Sequence, residues 1–116
     1  MVSNNEIENQ ICRLHAEICQ TMANPKRLRI IDTLREKEIS AGELQRILKI
    51  PKANLSQHMA VLRQKGIVVA RREGNTIYYR LARPKILKAY DIMREVLIEV
   101  LEHQQKLLTK AKGRQG

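Results

Sequence analysis

The spacing of apolar residues in this chain switches from helical to alternating at Gly66 and returns to helical after Leu81. Before Gly66, apolar side chains recur every three or four residues, as one face of a helix requires. After it, Ile67 to Glu73 and Thr76 to Leu81 are rich in β-branched and aromatic residues and read as strands. Gly74-Asn75 is all that separates them, a two-residue hairpin connection. A single hairpin is marginal in water and has to lie against something apolar. Several helices and one hairpin therefore imply a mainly α (α+β) fold.

The helices can be placed from their stripes and punctuation. Ile7, Ile11, Leu14, Ile18 and Met22 form one stripe over residues 5–22. Asn24-Pro25 breaks it and opens a second helix, with Asn as cap and Pro in the first turn. This helix is predicted from Pro25 to about Lys37, burying Leu28, Ile31 and Leu34 with Ile30 flanking. Ser40-Ala41-Gly42-Glu43 is a capping box opening a short helix over 41–48, with Leu44, Ile47 and Leu48 inward. Lys49-Ile50-Pro51 interrupts, and a fourth helix follows from about Lys52 to Lys65. Its Leu55, Met59 and Leu62 face inward, and Gly66 ends it. Pro84 opens the last helix, where Ile86, Tyr90, Met93, Leu97 and Val100 repeat in an a/d pattern flanked by Leu87, Ile98, Leu101 and Leu108. We expect one domain over residues 1–109 and a flexible basic tail over 110–116. Two short helices joined by a tight turn, then a basic hairpin, describe a winged helix-turn-helix. Its predicted order is helix, helix, helix, helix, strand, strand, helix.

Charge supports a polyanionic partner. The 116 residues carry 22 Lys and Arg against 12 Asp and Glu, a net charge of +10. Residues 1–23 hold one basic and three acidic residues, 24–83 fourteen and five, and 84–116 seven and four. The excess thus sits in the middle, and within 49–83 Glu73 is the sole acid among eight basic residues. No apolar run is long enough for a membrane helix, and the first residues lack the pattern of a secretory signal. Two cysteines make no disulfide framework, so a reducing, cytoplasmic setting is expected. No catalytic constellation is visible: Ser56 and His58 are neighbours on a helix without an orienting acid, so an enzyme is not expected.

With Leu55, Met59 and Leu62 inward, Lys52, Asn54, Ser56 and Gln57 project outward near the start of the fourth helix. Such a helix fits the major groove of double-stranded DNA, where Asn and Gln can pair bidentately with adenine. Gln57 is the first candidate for base contact, Asn54 the second. Arg63, Lys65, Arg71 and Arg72 are candidate phosphate contacts, which neutralise charge without reading sequence. Asn75 at the hairpin tip would enter or skirt the minor groove, and Ser40 with its helix N-terminus would hold a phosphate. His58 reads as a half-buried packing or phosphate-contacting residue.

Four segments in order resemble the ArsR/SmtB family of repressors. Ala23-Asn24-Pro25-Lys26-Arg27-Leu28-Arg29-Ile30-Ile31 is similar to the family's A-x-P-x-R-L-x-I-L opening. Ser40 to Leu48 is similar to the first helix of its DNA-binding motif, and Leu55 to Val68 to its V-S-x-H-L-x-x-L-x-x-x-G-L-V block. Arg71 to Asn75 with Tyr78 to Leu81 resembles its wing. The likeness covers roughly Cys12 to Gln104. It implies a homodimer that binds a palindromic operator, represses its operon and often releases DNA on meeting a metal ion or another inducer. The family's metal positions fall here at Ser40, Gly42 and Gln45, and at Arg83, Lys85, Val96 and Glu99. Glu99 is the sole residue among them able to ligate, so metal sensing does not simply carry over.

The ends of the chain remain. Ile7, Ile11 and Ile18 on the first helix and Ile86, Tyr90, Met93, Leu97 and Val100 on the last exceed what so short a monomer can cover. Packing both helices against symmetry mates would make them the dimer layer of a C2 homodimer. Cys12, His15 and Cys19 lie on one face of the first helix at i, i+3 and i+7. Two thiolates and an imidazole suit a soft or borderline metal ion or a thiol-reactive signal. The alternative is that the cysteines merely widen an apolar face. The Cα atoms of Cys12 and Cys19 should stand about 10.5 Å apart on a helix, too far for a disulfide between them. Two further readings are a DNA-binding regulator without a sensor, controlled by abundance or a small ligand, and a winged-helix protein-interaction module.

Overall fold

The computed structural model describes residues 3–115. They fall into two compact units, one ending at Pro84 and one beginning at Lys85. The first contains α1 (Asn4–Met22), α2 (Pro25–Thr33), β1 (Ile39–Ser40), α3 (Ala41–Leu48), α4 (Lys52–Gln64), β2 (Val68–Glu73) and β3 (Thr76–Leu81); the second is α5 (Ile86–Gln115). The helix-turn-helix and the wing are both in place.

Caps fix the helix starts. Ser3 Oγ accepts the Glu6 N–H at 3.2 Å, and Asn24 Oδ1 accepts those of Lys26 and Arg27 at 2.9 and 3.2 Å. Ser40 Oγ accepts the Glu43 N–H at 3.2 Å, half of the predicted capping box; the Glu43 carboxylate meets Arg46 at 3.5 Å. Gly66 ends α4 with φ +73°. Its N–H donates to Arg63 O and the N–H of Ile67 to Leu62 O, the paired bonds of a Schellman motif. Gly74 opens the hairpin turn with φ +61°, while Asn75 stays at negative φ, as in a type II′ turn.

The core of the first unit gathers Ile30, Ile31, Leu34, Ile39, Leu44, Leu48, Leu55, Met59, Leu62, Ile67, Val68, Tyr79 and Leu81. Three predictions need correction. α2 ends at Thr33 rather than near Lys37. The chain turns out of the helix at Leu34 so that Ile39 can enter the core and β1 can pair with β3 (Ile39↔Tyr79, Ser40↔Tyr78). The sheet therefore has three antiparallel strands in the order β1-β3-β2 rather than two. Second, α2 packs against α1, α3 and α4, which buries Ile30 completely and leaves Leu28 half-buried. Third, Ile47 is 43% exposed, because α3 turns its Leu44 and Leu48 edge inward. In the second unit, α5 continues as helix through Gln115, past the residues expected as a tail from Lys110. Gly116 lies outside the described residues. No helix among the described residues is long and apolar enough to cross a membrane.

Candidate nucleic-acid interface

The candidate reading surface is the outer face of α4. Leu55, Met59 and Leu62 are buried beneath it; on a helix of 3.6 residues per turn Gln57 lies opposite that stripe, with Asn54 and Ser56 on its two flanks, and Lys52 near the start of α4 and Arg63 near its end are exposed as well. Two amides and a hydroxyl thus spread over the solvent-facing half of α4, with an exposed cation near each end of the helix. Pro51 caps α4 without a side-chain bond, so its first amides are not covered by a cap side chain. The preceding turn is closed by Lys49, the sole non-glycine residue with positive φ among those described (φ 55°, ψ 47°). On the wing, Arg72 and Asn75 are exposed.

Four of the predicted contacts carry additional duties. Ser40 is engaged as the cap of α3. Lys65 is half-buried, with its ammonium 3.5 Å from Glu17 of α1. His58 is half-buried, and its Nδ1 accepts from Arg27 Nε at 3.2 Å; Arg27 Nη1 also donates to the Thr21 carbonyl at 3.2 Å. One guanidinium therefore links the end of α1, the start of α2 and the middle of α4. Burial holds the His58 imidazole below its ordinary range, and the charges of Arg27 and Lys26 add to this. Arg71 is engaged most fully. Its Nη2 lies 2.7 Å from Glu38 and its Nη1 2.8 Å from Glu73, and the guanidinium carbon stands 4.6 Å from the centre of the Tyr78 ring. Those bonds, first to Glu38 and then to Glu73, raise the Arg71 pKa, and the bond from Arg71 lowers that of Glu38.

Thr21, Arg27 and Glu38 were not among the predicted site residues. Glu38 stands 33 positions from Arg71 and Arg27 stands 31 from His58, so no local spacing announces either pair. The Arg71–Tyr78 pair was legible, because a two-residue loop after Glu73 places these residues opposite each other.

On α1, Cys12, His15 and Cys19 are all exposed. Among the described residues, no three His, Cys, Asp or Glu side chains come together as metal ligands would. Of the predicted dimer residues, Ile7, Ile11, Met93, Leu97 and Val100 are exposed and Ile18, Ile86 and Tyr90 half-buried.

A recognition helix seated on a buried core, a tight turn before it and a basic hairpin after it define a winged helix-turn-helix DNA-binding protein. Comparison with known proteins agrees. A helix-turn-helix domain model matches residues 22–71. The chain is 40% identical over 97 residues to the HTH-type transcriptional regulator Rv0081 of Mycobacterium tuberculosis, covering 83% of this chain and 85% of that one. The crystal structure of Rv0081 superposes with a TM-score of 0.73 over 81% of this chain and 95% of the other. The chain is 42% identical over 78 residues to the biofilm growth-associated repressor of Agrobacterium fabrum, 67% of each chain. The solution structure of the homodimeric winged helix-turn-helix DNA-binding domain of Mb0332 from Mycobacterium bovis matches with a TM-score of 0.76 at 27% identity, over 89% of this chain and 95% of that one. The chain belongs to the helix-turn-helix transcriptional regulators, and its fold is that of winged helix-turn-helix neighbours such as Mb0332, described as a possible ArsR-family regulator. It is a DNA-binding regulator of transcription and not an enzyme.

Proposed function

We propose that this protein is a homodimeric repressor that places α4 in successive major grooves of a palindromic operator. The observation that carries this reading is the face of α4, where Asn54, Ser56 and Gln57 are exposed directly above buried Leu55 and Met59. These side chains match base edges, and a rigid helix on a packed core holds them in register. Arg63 and Arg72 supply phosphate contacts, and Lys52 and Asn75 complete the footprint. A repressor is named among the relatives, and a homodimer among the structural neighbours. In this chain a second copy would cover the exposed apolar side chains of α1 and of α5.

Binding of the DNA upstream of the gene and of random duplex, measured by fluorescence anisotropy across salt concentrations, tests this. Gln57→Ala should lose roughly tenfold or more on the specific site and little on random DNA. Arg72→Ala should weaken both and lower the salt slope by about one. Equal losses for both variants on both DNAs would overturn the division of roles. For the releasing signal, the exposed Cys12 and Cys19 are open to a thiol-reactive inducer and, with His15, to a soft or borderline metal ion. Treating wild type and Cys12→Ser/Cys19→Ser with diamide or Zn²⁺ during the same titration separates the two: only a wild-type response lost in the variant supports sensing at these thiols.

A further inference from the structure

Resting on the reading that the hairpin is a DNA-contacting wing, we propose that Arg71 is a positioning residue, a clamp that sets the wing relative to the helix-turn-helix, rather than a phosphate contact. Arg71 lies on β2 directly opposite Tyr78 on β3, and Tyr78 lies opposite Ser40 on β1. Its guanidinium passes over the Tyr78 ring and reaches Glu38, just ahead of β1. One side chain therefore spans the whole width of the sheet.

The geometry is that of a strong pair. Arg71 Nε stands 3.2 Å from both Glu38 oxygens, and Nη2 stands 2.7 Å from Oε1, a fork of parallel bonds that Lys cannot reproduce. Nη1 takes Glu73 at 2.8 Å. Isolated surface ion pairs contribute little, but forked geometry, a second carboxylate and an aromatic platform remove the usual objections. A phosphate would have to displace two carboxylates to capture this cation. Arg72, the adjacent exposed cation, is under no such demand.

The placement also explains why a clamp is needed. β1 has two residues and holds β3 through two register pairs. Ser40, the second of them, is also the cap of α3, so whatever fixes β1 against the hairpin fixes the wing against the first helix of the DNA-binding motif. Glu73 is the one acidic residue near the wing tip, and its bond to Arg71 keeps a bare carboxylate from facing phosphate.

Arg71→Lys, Arg71→Gln and Glu38→Gln in the full chain test the clamp by two measurements. In the free protein, amide hydrogen exchange at Ile77 and Tyr78 should quicken about fivefold to tenfold in all three, with the Leu62 and Ile31 amides unchanged as the internal reference for folding. With a fluorescein-labelled random-sequence duplex at low salt, all three should bind roughly threefold to tenfold more weakly than wild type. A phosphate contact gives the opposite pattern: Arg71→Lys binds like wild type, and Glu38→Gln binds more tightly because Arg71 is released. That pattern, or unchanged exchange in the hairpin, or unchanged DNA affinity in all three, overturns the proposal. Failure of the wild type to bind duplex DNA at all would instead overturn the DNA-binding reading, and the exchange arm still decides whether Arg71 clamps the sheet.

Discussion

Lys49 holds the left-handed backbone that turns α3 into α4, a conformation in which a Cβ is costly. Lys49→Gly should therefore raise stability by about 0.5–1 kcal/mol, since relief of strain outweighs the added freedom of the unfolded chain. Gly66 is the converse. A Cβ there would meet no atom within 4 Å, so the cost of Gly66→Ala is conformational alone, about 1 kcal/mol. Urea melts of the two variants should shift in opposite directions. His58 gives a pH dependence. Its neutral form accepts from Arg27 and its pKa is lowered in the folded state, so the unfolded chain binds the proton more readily. Stability should be full above the ordinary value of 6.5 and fall as the pH drops through the lowered folded value. The Glu38 pKa is also lowered, but from 4.5, so its share is lost only in more acid solution. Urea melts at pH 7.5 and 5.5 should therefore show a loss of stability that is much reduced in His58→Gln; an equal loss in both would rule out this imidazole.

At the level of elements, α2 serves as the hub. It packs against α1, α3 and α4, and its first turn carries the guanidinium that links α1 to the recognition helix. Asn24 caps that turn with two bonds and orients Arg27, one of the amides it accepts from. Asn24→Ala should cost about 1 kcal/mol of stability in a thermal melt and weaken DNA binding further than that loss alone would, because Arg27 loses its anchorage. The boundaries of α1, α3, α4 and the hairpin were legible because each is marked by a cap, a proline or a glycine with a local role. The end of α2 and the strand β1 were not. Arg35, Glu36 and Lys37 have good helix propensity, which gives way to the burial of Ile39 and its pairing with Tyr79.

For the whole molecule, the exposed apolar side chains are concentrated at the two ends of the chain. Ile92, Met93, Leu97 and Leu101 on α5 are each more than half exposed, at 54–62%, as are Ile11 and Leu14 on α1. So many large apolar groups in contact with water suggest a missing partner surface. A dimer should sediment at twice 13.5 kDa, and Leu97→Glu should return it to the monomer mass while leaving the first unit folded. On the palindromic operator proposed above, affinity should drop by at least tenfold in that variant, since binding at one half-site would no longer help hold the other. A clean 13.5 kDa species for the wild type at micromolar concentration would exclude the dimer.

Local rules made most of the architecture readable in advance. Helical period, caps, the switch to alternation at Gly66 and the Gly74-Asn75 turn each act over a few residues, and together they specify the recognition helix, its buried Leu55, Met59 and Leu62, and the outward Asn54, Ser56 and Gln57. Charge adds a polyanionic partner and concentrates it on the same segment. What these rules do not reach is the pairing of side chains far apart in the chain. Arg71 and Arg72 are adjacent and identical in type, yet only the folded sheet brings Glu38 across Tyr78 to hold one and leaves the other exposed. Arg27 and His58 meet for the same reason. Periodicity records which face of an element is buried, whereas the partner of a charged group depends on where distant backbone runs, and that is set by the packing of the core.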